Sequence, residues 1–116
     1  MSKAGCIFCK IANKEIPAKI VFENNQILAF EDVRPQAPTH ILIIPKQHIE
    51  KISDLTESDT GMIGGLIVAA KDIANKQAVE KSGYRIVLNC NKDAGQEVFH
   101  IHLHLLGGRK FTWPPG

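Results

Sequence analysis

Hydrophobic and polar residues alternate along this chain with two different periods. Segments in which apolar positions recur at every second residue, or form a short continuous run, predict strands. Asn24-Asn25 is a typical turn signal between the first two of these segments, and Pro45 ends the third. Strands are predicted around Lys19–Glu23, Gln26–Asp32, Thr39–Ile44, Tyr84–Cys90 and Glu97–Leu106.

A helical period predicts one long helix in the middle of the chain. Thr56 and Asp59 supply a capping hydroxyl and an early acid at its start, and we expect it to end near Lys81. A short helical turn is predicted at Ile7–Asn13. We interpret three glycines near the start of the long helix as sites of close packing against a sheet: Gly61, Gly64 and Gly65.

The order of these elements predicts an α+β fold. Consecutive strands lie too close in sequence for helical crossovers, so the five-stranded sheet should be antiparallel. The chain of 116 residues fits one domain, residues 1–116, and is long enough to bury a core without disulfides.

Composition and charge exclude several classes of protein. A hydrophobic content of 44% and a charged content of 22% are typical of a globular chain. The formal net charge of +2 gives no support for a nucleic-acid-coating surface, and no apolar run is long enough to span a membrane. Three cysteines argue against a secreted disulfide framework, and no signal-like stretch follows Met1, so we expect a cytoplasmic protein.

The last predicted strand carries three histidines at every second position. Side chains alternate across a strand, so His100, His102 and His104 should share one face with Val98. The opposite face should pack on the long helix, and consists of Phe99, Ile101, Leu103 and Leu105.

A row of histidines suits reactions at phosphorus. Histidine acts as nucleophile, acid or cation near neutral pH, and phosphoryl or nucleotidyl transfer needs each of these roles. The alternative is a solvent-exposed polar face or a fortuitous metal-binding row. Asn89, on the preceding strand, shares the histidine face if the two strands pair as a hairpin, and backbone N–H groups around Gly95 are placed to hold phosphate oxygens.

Several segments resemble one known family. Gly95–Gly108 contains the pattern His-φ-His-φ-His-φ-φ, where φ is apolar, and resembles the signature of the histidine triad (HIT) family. Pro38–His48 is similar to a second motif of that family. Ile16–Lys19 and Trp113–Gly116 resemble the Hint branch, the nucleoside phosphoramidate hydrolases.

The resemblance implies a fold, an activity and the roles of the histidines. The family fold is an antiparallel five-stranded sheet with one long helix and a short N-terminal helix, and two subunits form a dimer with a continuous sheet. His102 attacks the α-phosphate to give a nucleotidyl-histidine intermediate, and water then releases the nucleoside monophosphate. His104 binds phosphate and assists the leaving group, while His100 and His40 orient the reacting imidazole. Catalysis itself requires no cofactor.

The resemblance also implies a binding site for a purine nucleotide of the AMP type. Asp32 matches the acid that binds ribose hydroxyls, although this residue is also suited to capping a turn. Trp113 is expected close to the active site of the partner subunit. Residues expected to line the phosphate site are Asn89, Gly95 and Gln96, and those expected to line the purine pocket are Ile7, Phe8, Phe30, Val33 and Leu42. Glu97 and Val98 are also expected to contact the nucleotide.

Glu97 departs from the family pattern, because the eukaryotic Hint branch has a serine at this position. A carboxylate beside a phosphate is unfavourable by charge alone. Strand alternation places Glu97 on the face opposite His100, unless the backbone is still irregular there. The substitution leaves the preference for a leaving group open.

Cys6 and Cys9 form a C-x-x-C pair, which alone is too small for a zinc site. The resemblance implies that His48 and His100 complete a Cys₂His₂ set that holds structural zinc. The alternative is two reduced cysteines that pack as small hydrophobic residues. If His100 binds zinc, its role in catalysis becomes indirect.

Three functions follow as hypotheses. The leading one is the hydrolysis of purine nucleoside phosphoramidates such as AMP-lysine or an adenosine phosphoramidate. The second is the hydrolysis of dinucleoside polyphosphates. The third is a nucleotide-binding adaptor with vestigial catalytic residues, against which the intact His40, His102 and His104 argue.

Overall fold

A computed structural model describes residues 2–116. It contains two α-helices, five strands and three short 3₁₀ turns, the latter at Ile52–Asp54, Glu57–Asp59 and Lys92–Ala94. In chain order the helices and strands are α1 (Ile7–Ala12), β1 (Ile20–Glu23), β2 (Ile27–Glu31), β3 (Thr39–Pro45), α2 (Thr60–Lys76), β4 (Tyr84–Leu88) and β5 (Leu103–Gly107).

The five strands form one antiparallel sheet in the order β1-β2-β3-β5-β4. This confirms the predicted α+β class and the antiparallel sheet. β3 is the central strand, and all seven of its residues are buried because both faces of the sheet are covered there. Its continuous apolar sequence, without alternation, reflects that position.

Each face of the sheet packs against one helix. On one face, α2 packs on the sheet through buried residues that include Leu66, Ala70 and Ile73, which meet side chains such as Ile41 and Leu103. The other face is covered by α1, and its apolar cluster consists of Phe8, Ile11, Leu28, Phe30, Leu42 and Ile44. His104 pairs with Leu42 across β5 and β3, so its side chain lies on the face that α1 covers.

The helix α2 ends at Lys76, five residues before the predicted end near Lys81. Ala78 adopts a left-handed conformation with φ of 60°, and the Val79 N–H donates to the Ala74 carbonyl at 3.0 Å. These features form a Schellman-type C-cap that turns Val79 into the core, against Gly107. Neither helix in the described part of the chain combines the length and apolarity needed to cross a membrane.

The interpretation of the three helix glycines is correct for one of them. A Cβ built on Gly65 would lie 3.1 Å from Cδ1 of Ile27 in the sheet, so this position is a close approach. A Cβ on Gly61 or Gly64 would meet nothing within 4 Å, because both residues face away from the sheet. For these two, the expected close packing is wrong.

The last strand begins at Leu103, so the prediction of a strand from Glu97 is wrong for its first half. Residues 97–102 leave the sheet ladder because other partners bind their backbone. The Ile101 N–H donates to the Ile49 carbonyl at 2.8 Å. Phe99, expected on the buried face, is 41% exposed, whereas Ile101, Leu103 and Leu105 do pack beneath α2.

Candidate active site and metal cluster

A cavity of about 1110 Å³ opens on the face of the sheet that α1 covers. This volume is at the upper end of the range for small-molecule sites. Apolar side chains from α1, β2 and β3 form one wall, and polar side chains from β5 and its neighbours form another. The predicted site residues that line it are Ile7, Phe8, Phe30, Asp32, Val33, His40, Leu42, Asn89, Gly95, Glu97, Val98, His102 and His104.

The ring of His102 is oriented by the main chain. Its Nδ1 lies 2.8 Å from the carbonyl oxygen of His100, and a carbonyl only accepts, so Nδ1 carries the proton and donates it. In the neutral ring Nε2 is then the atom with the free lone pair. The edge-to-face ring of Phe8 lies 5.1 Å away and the ring of His104 lies 5.0 Å away. His102 is therefore held as the tautomer that a nucleophile at Nε2 requires.

A chain of hydrogen bonds orients His104 in the same way. The Gln36 N–H donates to Nδ1 of His40 at 3.0 Å, so the proton of a neutral His40 is on Nε2. That Nε2 donates to Nδ1 of His104 at 2.9 Å, with Oδ2 of Asp32 3.4 Å away. The remaining proton of His104 is on Nε2. His104 is thus a hydrogen-bond donor beside the nucleophile.

Asp32, His40 and His104 lie close enough together to suggest a metal site. The tautomers argue against it, because the Nε2 proton of His40 already occupies the space between the two rings. Asp32 also caps a turn, since its Oδ1 accepts the Arg34 N–H at 2.8 Å. Both interpretations of Asp32 are therefore compatible with its position: it caps the turn and it lines the cavity.

Burial lowers the pKa of the site histidines below the ordinary value of 6.5. It lowers the pKa of His102 and of His40, although the charge of Asp32 opposes the shift in both. For His104, burial and the neighbouring rings of His102 and His40 lower the pKa to about 4. These rings are neutral at physiological pH, which keeps the lone pair of His102 available.

These shifts predict a loss of stability in mild acid. An unfolded histidine binds a proton near pH 6.5, whereas His104 in the fold does so only near about 4. Between these values the unfolded chain binds more protons, so the free energy of unfolding falls as the pH decreases. Urea unfolding from about pH 7.5 to about pH 5 should show this decrease. His104→Asn should show a shallower dependence on pH, and an unchanged slope in this variant would contradict the assignment.

Of the residues predicted to bind nucleotide, Gln96 and Trp113 do not line this cavity, and neither does the predicted catalytic residue His100. Gln96 is buried and holds the loop: its amide nitrogen donates to the Glu50 and Val98 carbonyls, and its Oε1 accepts the Asn91 N–H. Its backbone N–H donates to the Asn91 carbonyl as well, so Gln96 fixes the loop between Asn91 and Gln96. Trp113 is 82% exposed and is not among the residues that line the cavity of its own chain.

Glu97 lies on the same side as His102, contrary to strand alternation. Because the backbone of residues 97–102 is irregular, the side chain of Glu97 reaches the cavity rim. Its carboxylate is 83% exposed and lies 4.0 Å from the guanidinium of Arg34. The predicted placement opposite His100 is wrong for this reason.

Four potential metal ligands converge behind the histidine row: Cys6, Cys9, His48 and His100. Nε2 of His100 donates to the Pro45 carbonyl at 2.7 Å, which leaves its Nδ1 unprotonated. That Nδ1 lies 3.2 Å from Nδ1 of His48, 3.4 Å from Sγ of Cys6 and 3.6 Å from Sγ of Cys9. The bond to Pro45 therefore aims Nδ1 of His100 at the cluster, and burial lowers the pKa of His100 to about 4 although that bond opposes the shift.

These separations fit a tetrahedral zinc ion. Zn–N bonds of about 2.0 Å and Zn–S bonds of about 2.3 Å give tetrahedral edges of about 3.3 Å between nitrogens and about 3.5 Å between nitrogen and sulfur. The observed N–N and N–S distances agree with these values. Burial raises the pKa of the Cys9 thiol, and a bound cation would reverse that effect by stabilising the thiolate. The donor set therefore suits zinc better than two packed thiols.

Sequence reasoning missed several lining residues. Ile11, Ile16 and Ala18 extend the apolar wall, and Gln36 orients His40 through its backbone N–H. Ile11 follows Phe8 at helical spacing, which was a usable signal. The contact from Gln36 was not predictable, because a backbone donor carries no sequence signature.

Comparisons with known proteins give matches along most of the chain. The model of the HIT domain family matches residues 13–111. An uncharacterised HIT-like protein of Synechocystis sp. is 48% identical over 110 residues, covering 95% of this chain and 96% of that protein.

Solved structures have the same fold. The crystal structure of a HIT family hydrolase from Legionella pneumophila is 56% identical with a TM-score of 0.95, covering 97% of this chain and 100% of that one. A histidine triad protein from Clostridium difficile is 41% identical with a TM-score of 0.94, and the match covers 97% of each chain.

Proposed function

This chain belongs to the HIT domain family, and we propose that it hydrolyses purine nucleoside phosphoramidates to the nucleoside monophosphate and an amine. The observation that carries this proposal is the fixed tautomer of His102, whose Nδ1–H donates to the His100 carbonyl. The free lone pair on Nε2 lies in the cavity wall next to His104, a hydrogen-bond donor. A nucleophile and a hydrogen-bond donor are thus adjacent in one pocket.

The cavity supplies places for each part of a nucleotide. The apolar wall around Phe8, Phe30 and Leu42 suits a purine ring, because these side chains are buried and aromatic or aliphatic. Asp32 suits the ribose hydroxyls, since a carboxylate accepts two hydrogen bonds. Asn89 and the backbone near Gly95 suit the phosphate oxygens.

The reaction proceeds in two balanced steps. Nε2 of His102 attacks the phosphorus, the P–N bond to the amine breaks, and its electron pair remains on the leaving nitrogen, which takes a proton from solvent while the Nε2–H of neutral His104 donates a hydrogen bond beside it. Water then attacks the phosphorus, the bond to His102 breaks with its electron pair returning to Nε2, and the water proton passes to solvent. The network from Asp32 through His40 holds His104 in the required orientation throughout.

Structural zinc has an indirect part in this proposal. Cys6, Cys9, His48 and His100 would hold it, and it would supply rigidity rather than reaction chemistry. The carbonyl of His100 accepts the Nδ1 proton of His102, so fixing His100 also fixes the nucleophile.

A homodimer with a continuous sheet is part of the proposal. Support comes from β4, which lies at one edge of the sheet. The face of α2 that carries the exposed residues Ile67 and Val68 offers apolar surface for a second subunit. In such a dimer Trp113, which is exposed here, would lie against the partner's cavity.

Turnover of two adenosine substrates tests the reaction class. We expect the purified protein to hydrolyse an adenosine phosphoramidate with a kcat/KM at least about tenfold above that for a diadenosine polyphosphate, because the Nε2–H of His104 donates a single hydrogen bond beside the leaving amine. A strong preference for the polyphosphate would favour the second candidate function. Nucleotide binding without turnover of either substrate would favour an adaptor.

A further inference from the structure

Two oppositely charged side chains face each other across the rim of the cavity. Arg34 and Glu97 are 84% and 83% exposed, and their charged groups are 4.0 Å apart. An ion pair at this distance in water contributes little, so the two side chains separate readily. Neither charged group is needed to stabilise the fold, because both are solvated.

The reaction geometry directs the leaving group toward this rim. His102 is only 8% exposed, and its side chain lines the cavity. In-line displacement places the leaving amine on the side of the phosphorus opposite Nε2 of His102. We expect that side to face the solvent-exposed part of the cavity lining, to which Arg34 and Glu97 belong.

The charges that line the cavity single out Glu97. When the histidines are neutral, the charged side chains that line the cavity are two cations, Lys19 and Arg34, and three carboxylates. The carboxylates are those of Glu31, Asp32 and Glu97. Of these acids, Asp32 binds the Arg34 N–H and approaches His40, and Glu31 is the last residue of strand β2. Glu97 remains as a solvated carboxylate on the path of the leaving group, where it repels the phosphate and attracts a cation.

We propose that Glu97 determines specificity for leaving amines that carry a second, positively charged group, such as a diamine with a free ammonium. This inference rests on the proposed phosphoramidate hydrolysis. The ammonium of the leaving group replaces Arg34 as the partner of Glu97. The P–N bond breaks as in the general reaction, and Glu97 contributes attraction to the amine without entering the chemical step.

Three adenosine phosphoramidates of equal chain length test the inference. The leaving amines are 1,4-diaminobutane, butylamine and 4-aminobutyrate. At the end opposite the reacting nitrogen they carry an ammonium, a neutral methyl group and a carboxylate, respectively. We expect Glu97→Gln to lower the ratio of kcat/KM for the diamine to that for butylamine about fivefold, and to raise the ratio for aminobutyrate. High salt should reduce the same preference in the wild type.

Glu80→Gln is the matched control, because Glu80 is exposed, does not line the cavity and loses the same charge. It should leave both ratios unchanged. Ratios unchanged in Glu97→Gln, or changed equally by Glu80→Gln, would overturn the role of Glu97 while leaving phosphoramidate hydrolysis intact. Failure of the wild-type protein to cleave any of the three substrates would instead contradict the proposed function, and the inference with it.

Discussion

Replacing His102 with alanine should lower kcat for an adenosine phosphoramidate by about 10⁴-fold or more. The variant loses the Nε2 atom that we propose attacks the phosphorus, while the donors around it remain. Its Nδ1–H contact with the His100 carbonyl and its ring contact with Phe8 are lost as well, but the apolar residues proposed to hold the purine are unchanged. Steady-state turnover with a purified variant measures the effect.

Binding of AMP to the same variant is the control. Calorimetry should give a dissociation constant within about tenfold of the wild type, because Phe8, Phe30 and Asp32 are unchanged. A thermal melt should show that the variant is folded. Turnover within tenfold of wild type would contradict His102 as the nucleophile, whatever the binding result.

Removing the metal should have the second large effect, this time on stability. Protein purified without added metal should contain about one zinc per chain, and a strong chelator should lower the melting temperature by about 10 °C or more. The physical reason is that two imidazole nitrogens and two sulfurs lie within 4.8 Å of one another, at separations that a tetrahedral zinc ion would bridge. Elemental analysis and thermal melts with and without chelator measure both.

Two cysteine variants distinguish a zinc-binding role of the cysteines from a role in packing alone. Cys6→Ala should lose the metal and become insensitive to the chelator, because three ligands hold zinc weakly. Cys90→Ala should keep the metal, since Cys90 lies apart from the cluster and contacts Ser53. Wild-type protein with no zinc and no response to the chelator would show that the cysteines serve only as packing residues.

Alternation of apolar and polar residues was a good guide to the sheet and to one wall of the site. Alternation placed Asn89 on the same face of the sheet as His104. Val87 pairs with His104 across β4 and β5, and Asn89 lies two residues after Val87, so its side chain points to the same face. Alternation also placed Leu103 and Leu105 under α2. These successes have one cause: a sheet buried on both faces enforces the parity of its side chains.

Alternation failed where the backbone left the ladder. Glu97 reaches the rim of the cavity because the backbone around it does not pair with a neighbouring strand. Instead, the Gln96 side chain and the Ile101 N–H donate hydrogen bonds to carbonyls of the loop that contains Glu50. The partners of these bonds are distant backbone carbonyls, such as that of Glu50, which no local pattern encodes. The early end of α2 has a similar origin, since burial of Val79 requires the left-handed turn at Ala78.

The most direct test of the account is to trap the covalent intermediate. The protein would be mixed with an adenosine phosphoramidate, quenched during turnover under conditions that preserve a P–N bond, and digested for mass spectrometry. The account predicts an added adenylyl group on the peptide that contains His102, located on that residue by fragmentation, and no adduct in His102→Ala. An adduct on His104 or His40, or turnover by direct attack of water with no adduct at any time point, would contradict it.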